Sequence, residues 1–88
     1  MKIILKYKTR VKKDDWKLTQ GASLEEILSD PHIHLKFMIN IDLSNQAIQD
    51  ISPLASCTAI TQLYLSNTQV SDISPLDSCT ALTTLGLS

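Results

Sequence analysis

A repeat of 22 residues constrains this chain more than any other feature. Residues 41–62 (IDLSNQAIQDISPLASCTAITQ) and 63–84 (LYLSNTQVSDISPLDSCTALTT) align without a gap, with thirteen of 22 positions identical. The apolar differences are conservative: Ile41/Leu63, Ile48/Val70 and Ile60/Leu82. A third copy begins at Leu85-Gly86-Leu87-Ser88. Each unit opens with period-two alternation, Leu63 in, Tyr64 out, Leu65 in, which is the pattern of a strand. Apolar residues then recur every third position, at Val70, Ile73, Leu76, Cys79 and Leu82. That spacing predicts a tight 3₁₀ return, opened by Pro53 and Pro75, whose fixed φ suits its first residue. One such unit cannot bury its apolar side alone. Stacked units form a continuous core.

The spacing resembles the leucine-rich repeat motif L-x-x-L-x-L-x-x-N/C-x-L. It reads Ile60-x-x-Leu63-x-Leu65-x-x-Thr68-x-Val70, and earlier Met38-x-x-Ile41-x-Leu43-x-x-Gln46-x-Ile48. The period and the phrase SDISPL (Ser71 to Leu76) look most like bacterial internalin-type repeats. The resemblance covers residues 38–88 and implies an α/β fold: a leucine-rich repeat solenoid with a short curved parallel sheet and 3₁₀ or irregular return segments. The motif's Asn is replaced by Gln46 and Thr68, while Asn45 and Asn67 stand one position early. A looser inner turn and a less regular ladder are expected from that departure.

Residues 1–37 do not repeat and are expected to form an N-terminal cap, a strand and a helix that shield the first repeat. Ile3, Leu5, Tyr7, Thr9 and Val11 alternate with Lys2, Ile4, Lys6, Lys8, Arg10 and Lys12, a half-buried strand whose polar face is broken only by Ile4. Lys13-Asp14-Asp15 suits a turn, and Trp16-Lys17-Leu18 a short returning strand. Ser23 and Glu26 make a capping box for a helix over 23–29 carrying Leu24, Ile27 and Leu28, ended by Asp30-Pro31. Leu35, Phe37 and Ile39 lead into the first repeat strand, so the repeats run 41–62, 63–84 and, in part, 85–88.

Charge is divided along the chain. Residues 1–17 hold seven cations against two carboxylates, +5, and residues 18–88 are at −6, for a net −1. The row Lys6, Lys8, Arg10, Lys12 has two readings, phosphate contact or protection of an edge strand from mispairing. The second is favoured, so nucleic acid is disfavoured as a partner. Cys57 and Cys79 share one repeat position and should point inward as small hydrophobes. His32 and His34 lack further ligands at zinc spacing. Asp14 with Asp15 suits a turn, and Glu25 with Glu26 a helix N-terminus. No G-x-S-x-G or Gly-rich loop occurs, so no enzyme activity, metal or cofactor is expected. No apolar run exceeds three residues, as in Ile3-Ile4-Leu5, far below a membrane span or a signal-peptide core, so a cytoplasmic location is the default reading.

The resemblance implies a protein-binding face on the outward positions of the repeat strands: Asn40, Asp42 and Ser44, then Gln62, Tyr64 and Ser66, then Thr84, Gly86 and Ser88. Tyr64 is the one large residue among them, and Tyr is favoured at interface hot spots. A module this short offers less than the roughly 800 Å² per partner of a standard interface, so weak or avidity-dependent binding is expected. The alternative reading is a truncated or structural repeat fragment that self-associates through Leu82, Leu85 and Leu87 at its uncapped last repeat.

Overall fold

A computed structural model describes residues 2–87. Its strands are β1 (Ile3–Thr9), β2 (Lys17–Gly21), β3 (Met38–Asp42), β4 (Gln62–Tyr64) and β5 (Thr84–Gly86). They form one sheet in the order β2-β1-β3-β4-β5. β1 is antiparallel to both β2 and β3, whereas β3, β4 and β5 run parallel. The parallel strands are linked through 3₁₀ turns at Ser52–Ser56 and Ser74–Ser78, each with proline in its first turn. The strand-then-3₁₀ unit expected from the spacing is therefore present twice.

The core lies on one side of the sheet. Ile41, Leu43, Leu54, Cys57, Ile60 and Leu63 are wholly inaccessible, and Leu5 and Met38 join them from the N-terminal side. Each fully buried Leu or Ile contributes about 1.5–3 kcal/mol. Helix α1 (Leu24–Leu28) lays Leu24, Ile27 and Leu28 onto the same core and packs on β2, β1 and the first 3₁₀ turn. The Ser23 hydroxyl accepts from the Glu26 N–H at 3.1 Å. The Glu26 carboxylate accepts from the Ala22 N–H at 2.9 Å, so the box closes one residue ahead of its usual partner.

Several expectations need correction. β1 is an interior strand, flanked by β2 and β3, so its lysines guard no sheet edge. The strand stops at Thr9, and Val11 is 70% exposed in the following loop. Leu35 and Phe37 lead into β3 through a 3₁₀ turn, and Met38 supplies the buried side chain there.

The inner turns are not loose. Asn45 and Asn67 adopt left-handed φ of 64° and 56°, a conformation that Asn tolerates better than most residues. Asn67 Nδ2 donates to Asn45 Oδ1 at 3.2 Å, and the Asn45 N–H donates to Ser66 O at 2.9 Å. Thr68 donates its hydroxyl locally, to Leu65 O at 2.7 Å. Gln46 faces no preceding repeat. Its amide instead accepts from the Ile4 N–H and donates to the Ile4 carbonyl, both at 2.7 Å. The side chain thereby extends the pairing of β1 beyond the end of β3, a reach for which Asn is one methylene short. Gln46→Ala should cost about 1–2 kcal/mol, two hydrogen bonds at their usual net value. Urea unfolding and faster amide exchange at Ile4 would register the loss.

The 3₁₀ turns begin on a device that sequence reading overlooked. Asp50 and Asp72 Oδ1 accept from the backbone N–H groups of Ser52 and Ser74, each at 2.9 Å. These bonds hold both carboxyls below the ordinary value of 3.8. A carboxylate depressed in the folded state stabilises fully above its unfolded pKa, and that contribution disappears as pH falls through the folded pKa. The Asp50→Asn/Asp72→Asn variant keeps an oxygen acceptor and removes the titration. Its stability should fall less steeply than wild type below about pH 4, by thermal melts at stepped pH.

Candidate functional site

The outward residues of the parallel strands stand in rows because the register is unbroken. Asn40 pairs with Gln62 and Gln62 with Thr84, while Asp42 pairs with Tyr64 and Tyr64 with Gly86. Ser44 and Ser66 follow their strands and complete a third row. Ser88 lies outside the described residues.

Side chains cross-link these rows. Gln62 Oε1 accepts from Asn40 Nδ2 at 3.1 Å and from the Tyr64 hydroxyl at 2.8 Å. Asp42 Oδ1 accepts from the Ser44 N–H at 2.9 Å. Gly86 leaves room beside the Tyr64 ring, because a Cβ there would lie 3.3 Å from Tyr64 Cδ1. The tyrosine is therefore tied through its hydroxyl, with space left at its ring edge, and it presents a half-buried aromatic surface. All the eight described residues of the expected face lie on one side of the sheet, and none is buried.

The same side continues across the N-terminal strands. Lys6 stands opposite Asp42 and Lys8 opposite Asn40. Leu18 stands opposite Lys6, and Gln20 opposite Ile4. Ile4, Trp16 and Leu18 thus flank the repeat rows, although sequence reading did not place them there. The break that Ile4 makes in the polar face of β1 was the available signal. Lys8 Nζ lies 4.7 Å from the Trp16 ring centroid and Arg10 Cζ 4.4 Å from that of Phe37, both cation–π contacts. Arg10 and Lys12 lie beyond β1, so the basic row is split between strand and loop.

Elsewhere the residues serve the fold. Cys57 and Cys79 are buried free thiols, and Cys79 Sγ lies 3.5 Å from Cys57 O. Burial pushes the Cys57 thiol up to about 12 and raises that of Cys79 as well. Neither is a ready nucleophile at neutral pH. His32 Nδ1 lies 3.1 Å from Asp30 Oδ1 on the surface. His34 stacks at a tilt on Phe37, with ring centroids 5.5 Å apart. Among the described residues, no three His, Cys, Asp or Glu side chains gather as metal ligands. Nor is any helix among them long and apolar enough to cross a membrane.

The parallel strands, the 22-residue register and the 3₁₀ returns agree with one comparison. Residues 37–78 match the family model described as Leucine Rich repeats (2 copies). Residues 37–78 are a leucine-rich repeat segment. No curated protein matches the chain. Leucine-rich repeat segments are generally protein-binding and typically non-catalytic. The rows from Asn40 to Gly86 occupy the solvent face of β3, β4 and β5, of which β3 and β4 lie in the matched segment, and the leucine positions occupy the other.

Proposed function

We propose that this chain is a non-enzymatic protein-interaction module that binds its partner through the concave face of its leucine-rich repeat sheet, at Asn40, Asp42, Ser44, Gln62, Tyr64, Ser66, Thr84 and Gly86. The observation that carries this reading is Tyr64, tied to Gln62 at 2.8 Å in the middle of three aligned rows. An aromatic ring ordered before binding loses little entropy when a partner covers it. Tyr64→Ala should abolish capture of a partner by immobilised protein while leaving the fold intact. Leu87→Lys should leave capture unchanged. Capture that survives Tyr64→Ala counts against this face.

The internalin-like subtype belongs to the same proposal, supported by the 22-residue period and the SDISPL phrase. So does the reading of residues 1–37 as a cap, supported by α1 and β1 closing over the core beside β3. A reducing, cytoplasmic setting suits the two buried free thiols.

One observation favours a second reading. Leu87 is 49% exposed, and Leu82 and Leu85 are only partly covered. β5 pairs on one side alone among the described residues. Stacking of another chain on this end would bury them. Light scattering across a concentration series should then show dimers that Leu87→Lys disperses, and a monomer throughout would exclude it.

A further inference from the structure

The β1–β2 hairpin carries an apolar patch that nothing in the fold explains. Trp16 is 46% exposed, Leu18 65% and Ile4 46%. They are three of the six large apolar residues left exposed in the described chain. The hairpin buries its opposite face, where Leu5 is wholly inaccessible and Ile3 and Tyr7 pack on the core. The pairing of Lys6 with Leu18 and of Ile4 with Gln20 puts the patch on the sheet side that also bears Asn40 and Asp42.

Lysines predominate around it on the strand side. Lys6 and Lys8 project from the same side of β1, and Lys2 borders the adjoining concavity of about 550 Å³. A second hollow, of about 340 Å³, is framed by Lys6, Trp16, Leu18 and Asp42. Lys8 lies over the indole and holds it against the strand. Asp42 lines both hollows, and Asp14 and Asp15 precede Trp16 in the hairpin turn.

We propose that the exposed face of the β1–β2 hairpin is the anchor of the binding surface, and that it takes an acidic segment of a protein partner bearing a large aliphatic or aromatic side chain. The inference rests on the concave-face reading and names its partner's chemistry. The apolar side chain enters the hollow between Trp16 and Leu18, and flanking carboxylates meet Lys6 and Lys8. Leu18 and Ile4 offer an aliphatic surface that suits an apolar side chain, and Lys8 lies over the Trp16 ring at 4.7 Å where a base would stack, so the geometry favours a peptide over a nucleic acid. The hairpin also lengthens the available face from three strands to five, which answers the small area of the repeats alone.

The test is a titration of the isotope-labelled 88-residue chain, followed by NMR. The probe is a capped peptide of two leucines between paired aspartates. Its controls carry lysines for the aspartates, or serines for the leucines, and a thymidine hexanucleotide stands beside them. The acidic leucine peptide should move the Trp16 indole and Leu18 methyl signals and bind at least about tenfold more tightly than each control. Leu18→Asp and Lys6→Glu, both at exposed positions, should each lower that affinity about tenfold with signal dispersion unchanged. Shifts confined to the Tyr64 and Thr84 rows would overturn the anchor and leave the concave-face reading standing. Shifts confined to the hairpin would support the anchor and count against the repeat rows. Equal or tighter binding of the hexanucleotide, or no shift with any probe, would overturn the proposal.

Discussion

Leu63→Ala should lower the free energy of unfolding by about 2–5 kcal/mol, the range for deleting a buried leucine side chain and leaving a cavity. Leu63 is wholly inaccessible and sits in β4, between Ile41 of β3 and Leu85 of β5. The cavity would open at the joint between repeat units, where neither neighbour can collapse without breaking its own register. A chain of this length has on the order of 4–13 kcal/mol in total, so the loss is a large share of it. Urea denaturation gives the value directly, and an unchanged slope would show that the unfolded state is the same. A shift below about 1 kcal/mol would mean that the two units do not share a core.

Gly21→Ala should destabilise by about 1–3 kcal/mol, the usual cost of overpacking. A Cβ at Gly21 would lie 2.8 Å from Cγ1 of Ile27. Ile27 is 3% exposed and its Cγ1 is near the root of the side chain, so it has nowhere to retreat. Helix and hairpin must separate instead, and the variant should melt at lower temperature with weaker protection of α1. Gly86 gives the contrast. A Cβ there meets Tyr64 Cδ1 at 3.3 Å, and the ring can swing toward solvent. Gly86→Ala should therefore alter the Tyr64 environment, read from fluorescence, with little change in stability.

What was legible in the chain follows from periodicity. The spacing of Ile41, Leu43, Ile48, Ile51, Leu54, Cys57 and Ile60 carries the parallel register, because the same positions recur 22 residues on. Pro53 and Pro75 mark the 3₁₀ turns, and Ser23 with Glu26 marks the helix start. The outward rows were legible for the same reason. What was hidden depends on long-range pairing of segments that do not repeat. Nothing local to Lys6 or Lys8 says that β1 is flanked on both sides. Trp16 and Leu18 read as an ordinary returning strand until the register with β1 sets their face. Gln46 looked like a poor substitute for Asn because its partner, Ile4, lies 42 residues away.

The two units share thirteen of 22 residues and are unequal in surroundings. In the first, Ile48, Ile51, Leu54 and Cys57 are at most 3% exposed. Their counterparts become looser: Val70 is only partly buried, Ile73 is 41% exposed, Leu76 8% and Cys79 4%. Because each unit leans only on its neighbours, this difference makes the array a zipper with a preferred end. Opening is expected to begin in the second unit and to pass Cys79 before it reaches Cys57. The paired cysteines, chemically equivalent by position, then become two clocks set to different depths of the same unravelling.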